Sequence, residues 1–464
     1  MAVAAPVLTY TSLLGDRRRF SRLQRLVSAL VQHSEASLAQ ALASLAALKG
    51  AYRFFANRAV TPDAILQTAR PDCLAKMAAA PRVLLIQDTT DLNFTAHPAT
   101  TGLGPTGTRR QRTQGLFVHS CLAASTAGVP LGLAAQVLWC RDPAQAGSAQ
   151  QRKQRDWGDK ESHRWLTVEA ASRAGLPAAV ESVTVADAEA DLFALFAAPR
   201  PPQAHLLIRV AQPQRCLVDG QALGKVAAQA PVWGHYTVSV QASAKRQART
   251  AACTLRVTPV TLQPPRTQPP GRPWQAPVAL MALWAEEEAA SVPEGETPLQ
   301  WLLLTTLPAA SFVDAATCVG YYSQRWLIEQ YHFLLKTGCQ AERLQLRQGE
   351  RVERAVATLC LVAVRLLWLT YLARAQPDAP CTVAFDTAEW QALCVARSGA
   401  ATPPAQPPPL REAVRLVAQL GGFLGRRGDG EPGPLTLWRG LQRLADLTHM
   451  WRVLHAAAPV IESG

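Results

Sequence analysis

Within residues 322–336 a phenol, a guanidinium, a carboxylate and an ammonium recur as Tyr322, Arg325, Glu329 and Lys336. On an α-helix, where each residue turns ~100° and rises ~1.5 Å, these four fall within ~60° of one another along ~21 Å of a single face. Leu327, Ile328, Tyr331, Leu334 and Leu335 point the other way and predict a buried stripe. An acid set between phosphate-binding cations suits metal-dependent chemistry on a polyanion. Two further acids, Asp88 and Asp187, each follow a short apolar run (83–86 and 183–186) of the kind that forms a buried strand. Taken singly, any of these acids could be a helix N-cap or an ion-pair partner. Together, three carboxylates from two strand ends and one helix could hold two Mg²⁺ ions ~3.5–4 Å apart, with Mn²⁺ able to substitute. The expectation is that Asp88, Asp187 and Glu329 lie within about two metal–oxygen bond lengths of shared cation positions.

The elements that must position these residues can be read from periodicity. Residues 15–79 predict helices, with Phe20, Leu23, Leu26, Val27 and Leu30 at helical spacing and Thr61-Pro62-Asp63 as a helix start. Strands are predicted at 83–86, 116–124 and 131–138, a helix at 160–174, a strand at 183–186, a helix at 191–197 and a strand at 206–210. That order predicts an α/β chain with a mixed sheet flanked by helices. Strand-like runs at 236–240, 254–260 and 278–284, the last two separated by the Pro-rich 264–277, suggest a β-rich insertion before the sheet pattern resumes at 301–306. Helices at 410–420 and 435–454 follow a Pro-rich linker, 402–409. The expected units are therefore 1–80, 81–211, 212–298, 299–374 and 375–464.

The chain has 464 residues and a net charge of +13, and 40 of its 47 cations are Arg, whose fork matches phosphate oxygens. Ten scattered cysteines show neither zinc spacing nor a Cys-x-x-Cys pair. Arg17, Arg18 and Arg19 follow a short mixed segment rather than precede an apolar one, so reduced thiols in a cytoplasmic protein are expected. The apolar run 355–373 is interrupted by Arg365 and predicts a buried helix, with no membrane partner.

The spacing Tyr322, Arg325, Glu329, Lys336, together with Gln-Asp-Thr-Thr at 87–90 and Ala-Asp-Ala-Glu-Ala-Asp at 186–191, resembles the IS-four family of bacterial cut-and-paste DDE transposases. Further matches run in consistent order: Gly15-Asp16-Arg17-Arg18, Ala51-Tyr52-Arg53-Phe54, Val118-His119-Ser120, Gly295-Glu296-Thr297-Pro298, Lys336-Thr337-Gly338 and Leu420-Gly421-Gly422-Phe423. The resemblance implies a ribonuclease-H-like core whose metal-binding triad is Asp88, Asp187 and Glu329, with a β-strand domain inserted before the glutamate. It implies an N-terminal region that binds double-stranded DNA at the transposon's terminal inverted repeats, and a C-terminal region that pairs two protomers in a homodimeric synaptic complex. The implied chemistry is nicking at the transposon end, hairpin formation and opening, and strand transfer into target DNA. Two other readings stay open: a catalytically silent end-binding or inhibitory protein, and a nuclease that cleaves without joining.

Around the triad, Tyr322, Arg325 and Lys336 are expected to hold phosphates, and Trp301 to stack on a flipped base, as the resemblance implies. Arg209 is expected to contact DNA or to form a structural ion pair. Arg17, Arg18 and Arg53, with Arg19, Arg22, Arg25 and Arg58, are expected to bind the terminal repeat. Arg109, Arg110 and Arg112, and separately Lys245, Arg246 and Arg249, could also meet DNA. His119 and His332 are expected to pack or hydrogen-bond rather than to ligate a metal. Ala188 and Phe333 stand where the family usually has a basic residue.

Overall fold

The computed structural model describes residues 8–32, 37–42, 44–107, 113–143, 155–240, 247–266, 276–426 and 428–455. Val83, Leu84, Leu85 and Ile86 are all fully buried, so the first strand, β1 (Arg82–Asn93), is apolar on both faces, as a strand covered on each side must be. β3 (Gln114–Ser125) pairs antiparallel with β1, and β4 (Pro130–Trp139) antiparallel with β3. On the other side of β1 lie β5 (Glu181–Ala186) and then β6 (Ala204–Arg209), both parallel. A two-residue strand, β2 (Gly104–Pro105), also borders β3. This mixed sheet with flanking helices is the ribonuclease-H-like α/β core that the resemblance implies.

The expected insertion is not a sheet of its own. β10 (Gln300–Thr305) pairs antiparallel with β6, and β9 (Val278–Glu287), β8 (Arg249–Leu262) and β7 (Val232–Val240) continue outward from it, giving ten described strands in one sheet. The reason is backbone satisfaction: β10 would otherwise present an open edge, and β9 pairs with it from Gln300↔Glu286 to Thr305↔Met281.

Five helices lead into the sheet: Arg17–Gln32, Leu38–Ala41, Leu45–Ala56, Pro62–Leu66 and Arg70–Ala78. Leu23, Leu26, Val27 and Leu30 form the buried face of the first, as their spacing predicts. The first, third and fourth of these helices pack on the long Gly349–Ala375 helix. That helix is long and apolar enough to cross a membrane, yet 89% of its most apolar window is buried inside the protein, consistent with a core helix. Its Arg354 enters the interior and donates to the carbonyls of Phe55, at 3.1 Å, and of Glu350, at 3.0 Å. The Phe55 bond satisfies one of the orphan carbonyls at the end of the Leu45–Ala56 helix. Helices Thr387–Ser398, Leu410–Leu420 and Pro434–Leu454 complete a C-terminal bundle against the same long helix.

The 322–336 segment departs from the single straight helix predicted for it. One helix, Phe312–Ser323, ends at a turn through Gln324 and Arg325; a second, Trp326–Phe333, follows, and Leu334–Gly338 widens into a π-helical turn. At the junction the backbone bonds tighten, Arg325 N–H to the Tyr322 carbonyl at 3.0 Å and Ile328 N–H to that of Arg325 at 3.2 Å. Tyr322 and Glu329 therefore sit on different helical segments.

Candidate active site

The sheet itself brings two acids together. The parallel ladder between β1 and β5 ends at the pair Gln87↔Ala186, and the next residue on each strand is Asp88 and Asp187. Asp88 is thus not at the end of a strand, as its sequence context suggests. It lies in the middle of β1, where pairing with β5 stops and pairing with β3 continues to Asn93. Asp88 Oδ1 accepts from the Thr89 N–H at 2.8 Å, and Asp187 Oδ1 from the Glu189 N–H at 3.0 Å. Burial pushes the Asp88 carboxyl up to about 7; the Thr89 N–H opposes that rise, and the charges of Asp187 and Glu189 add to it. Beside these residues a cavity of about 570 Å³ opens, lined in part by Thr89, Thr90, Asp91, Arg164 and Glu189.

Glu329 comes from the Trp326–Phe333 helix, which packs against β1 and β3. Its carboxylate is held by the Arg325 guanidinium one turn earlier. That guanidinium also lies 6.0 Å from the centre of the Tyr322 ring and close enough to Asp187 and Asp88 to interact with both charges. His332, one turn beyond Glu329, places Nδ1 3.7 Å from Asp88 Oδ2; burial pulls its pKa down to about 3, so the ring is neutral. Lys336 donates to Asp91 Oδ1 at 3.4 Å.

Asp88 and Asp187 are neighbours, and Glu329 is linked to them through the Arg325 guanidinium. Among the described residues no three Asp, Glu, His or Cys side chains are gathered closely enough to enclose an ion. The Glu329 carboxylate is paired with the Arg325 guanidinium, which also interacts with the charges of Asp187 and Asp88. The donors nonetheless suit a hard divalent cation. They are all oxygens, and Asp88 is a buried acid whose ionised form is opposed by two adjacent acids.

Other predicted residues are placed differently from their expectation. Tyr322 is not on an open polar face: it is 4% exposed, its ring stands edge-on to Trp301 at 6.1 Å, and its hydroxyl is buried without a hydrogen-bond partner. Trp301 is half-buried at the start of β10, and Arg209 is exposed at the end of β6. Arg17, Arg18, Arg25, Arg53 and Arg58 are exposed on or beside the N-terminal helices, whereas Arg19 turns back to Asp16 and the Leu14 carbonyl. Arg249 is not open to DNA, because Glu287 and Glu296 hold it at 2.9 and 2.6 Å. Residues 109–112, 245 and 246 lie outside the described residues. Phe333, on the helix of Glu329, is exposed.

Sequence reasoning missed part of this environment. Glu189 raises the pKa of Asp88, and its signal was its position two residues after Asp187. His119 bonds Gln87 Oε1 at 3.1 Å and Thr89 Oγ1 at 2.8 Å, so one imidazole pins the residues on either side of Asp88. Only the strand register, Thr89 opposite His119, reveals that.

Three families match the chain. Residues 9–60 match "Transposase DNA-binding", residues 145–365 match "Transposase DDE domain", and residues 361–457 match "Transposase Tn5 dimerisation domain". The chain belongs to the Tn5-type DDE transposases, which makes it a phosphoryl-transfer enzyme with DNA-binding and dimerisation domains. The DDE match includes Asp187 and Glu329 and begins after Asp88. The dimerisation match begins inside the Gly349–Ala375 helix, so one helix serves both the core and the C-terminal bundle.

Proposed function

We propose that this chain is a cut-and-paste transposase whose reacting carboxylates are Asp88, Asp187 and Glu329. Support comes chiefly from one observation: the β1–β5 register sets Asp88 beside Asp187, and the Arg325 guanidinium that pairs with Glu329 also interacts with both aspartates. These three acids would hold Mg²⁺. When bound, the metal activates the attacking oxygen and stabilises the leaving one.

The chain's own residues do the rest. Arg325 and Lys336 bind phosphates of the transposon end, and the Tyr322 hydroxyl, buried without a partner, donates to the same strand. Trp301 stacks on a base drawn out of the duplex, and Arg209 holds the backbone near it. Arg17, Arg18 and Arg53 grip the terminal repeat. Nicking, hairpin formation, hairpin opening and strand transfer are each an in-line displacement at phosphorus, so one site serves all four. Residues 1–80 bind ends, 81–211 and 299–374 carry the chemistry, 212–298 extend the DNA-facing sheet, and 375–464 pair two copies into a homodimer.

The test is a plasmid carrying the gene with its flanking DNA, incubated with the protein and Mg²⁺. End nicking that vanishes in Asp88→Ala supports the reading, and its absence in the wild type would indicate a silent end-binding protein. Pre-cut ends incubated with a second plasmid must yield covalently joined product. Cleavage with no joining would leave only a nuclease.

A further inference from the structure

Ser120 stands directly opposite Asp88 in the β1–β3 ladder and opposite Gln136 in the β3–β4 ladder. Its hydroxyl donates to Gln136 Oε1 at 3.1 Å. The same oxygen accepts from the Tyr331 hydroxyl at 2.8 Å, and Tyr331 lies two residues beyond Glu329 on the same helix. The Gln136 amide nitrogen donates to Cys360 Sγ at 3.0 Å, on the long core helix. Ser120, Tyr331 and Cys360 are fully buried and Gln136 is 8% exposed, so none of this network faces DNA.

One amide therefore joins the strand paired with Asp88, the helix carrying Glu329 and the helix beneath both. Apolar contacts around Leu327, Ile328 and Leu334 hold the Glu329 helix against the sheet but are non-directional. Two hydroxyls converging on the lone pairs of one oxygen are directional and fix where along the sheet, and at what rotation, that helix sits. Displacement of a reacting group by ~1 Å can slow an enzyme ~100-fold.

We propose that Gln136 is a positioning residue for phosphoryl transfer: through Ser120 and Tyr331 it keeps the Glu329 helix in register with the strand of Asp88. This rests on reading Asp88 and Glu329 as reacting carboxylates. Gln136→Met keeps the volume but removes the oxygen on which both buried hydroxyls converge, and it should lower both the melting temperature and the cleavage rate. The triple variant Ser120→Ala/Gln136→Met/Tyr331→Phe replaces the polar cluster with apolar groups of similar shape, which restores stability when packing is kept.

The experiment measures melting temperature, together with kcat and KM for cleavage of a plasmid carrying the gene and its flanking DNA in Mg²⁺. The expected result is a triple variant that melts near the wild type, keeps its KM and cleaves at least tenfold more slowly. A triple variant cleaving at the wild-type rate overturns the proposal. Tyr331→Phe alone removes a single hydroxyl and covers the case in which the triple variant does not fold: a severalfold lower kcat at unchanged KM supports the role, and an unchanged kcat overturns it. Asp88→Asn in parallel separates the two levels, because full activity there removes the site reading itself, whereas an inactive Asp88→Asn beside a fully active triple variant removes only the role of Gln136.

Discussion

The guanidinium of Arg325 closes on the carboxylate of Glu329, and the same guanidinium interacts with the charges of Asp187 and Asp88. In the DNA-free protein it is a built-in cation beside the acids that a divalent ion would also seek. A DNA phosphate competes for that fork, because Arg binds phosphate in the same bidentate way. Arg325→Gln is predicted to raise the affinity of the DNA-free protein for Mn²⁺ by about fivefold, the equivalent of a ~1 kcal/mol ion pair, while weakening end binding. Mn²⁺ titration followed by paramagnetic resonance measures it, and unchanged or weaker metal binding sinks the idea.

Asp88 makes metal-free stability pH-dependent. Its folded pKa, about 7, lies above the ordinary 3.8, so the folded state holds that proton more tightly than the unfolded chain does. The associated stability is complete below pH ~4 and is lost as pH rises through about 7, a change of a few kcal/mol at most. In EDTA, therefore, the melting temperature should be lower at pH 8 than this group would allow at pH 5. Asp88→Asn should flatten that difference and raise the melting temperature at pH 8. An Asp88→Asn variant with the wild-type pH profile would contradict the prediction.

Open and engaged arginines should separate in salt titrations of DNA binding. Arg17→Gln and Arg18→Gln each remove an exposed cation and should reduce the slope of log K against log salt by roughly 1 if that side chain contacts a phosphate. Arg249→Gln should leave the slope unchanged and lower the melting temperature, because it strips Glu287 and Glu296 of their partner. Equal slopes for all three variants would show that the N-terminal face does not carry the binding.

The Tyr322 hydroxyl is buried without a well-formed hydrogen bond, beside the Arg325 guanidinium, so its removal costs the free protein little. Tyr322→Phe should change stability by less than about 0.5 kcal/mol and slow end cleavage about tenfold, if that group is reserved for DNA. Thermal melts alongside single-turnover cleavage decide this. Full cleavage activity would return Tyr322 to a packing role beside Trp301.

Much of the fold was legible in the chain because periodicity follows from local geometry: the all-apolar run at 83–86 marks a doubly covered strand, and Leu23, Leu26, Val27 and Leu30 mark a one-sided helix. Residue types also identified Asp88, Asp187, Glu329 and Arg325 as groups suited to phosphoryl transfer. Three-dimensional packing decided what those groups face. The i→i−3 bonds near Arg325 interrupt the helix, and Tyr322 goes inward against Trp301. The open edge of β10 draws the 212–298 strands into the main sheet. Strand register alone makes Asp88 the neighbour of Asp187 and places Ser120 and His119 behind it, since pairing between strands distant in sequence leaves no local periodic trace. Charge decides one further contact, because the Arg325 guanidinium one turn earlier pairs with the Glu329 carboxylate.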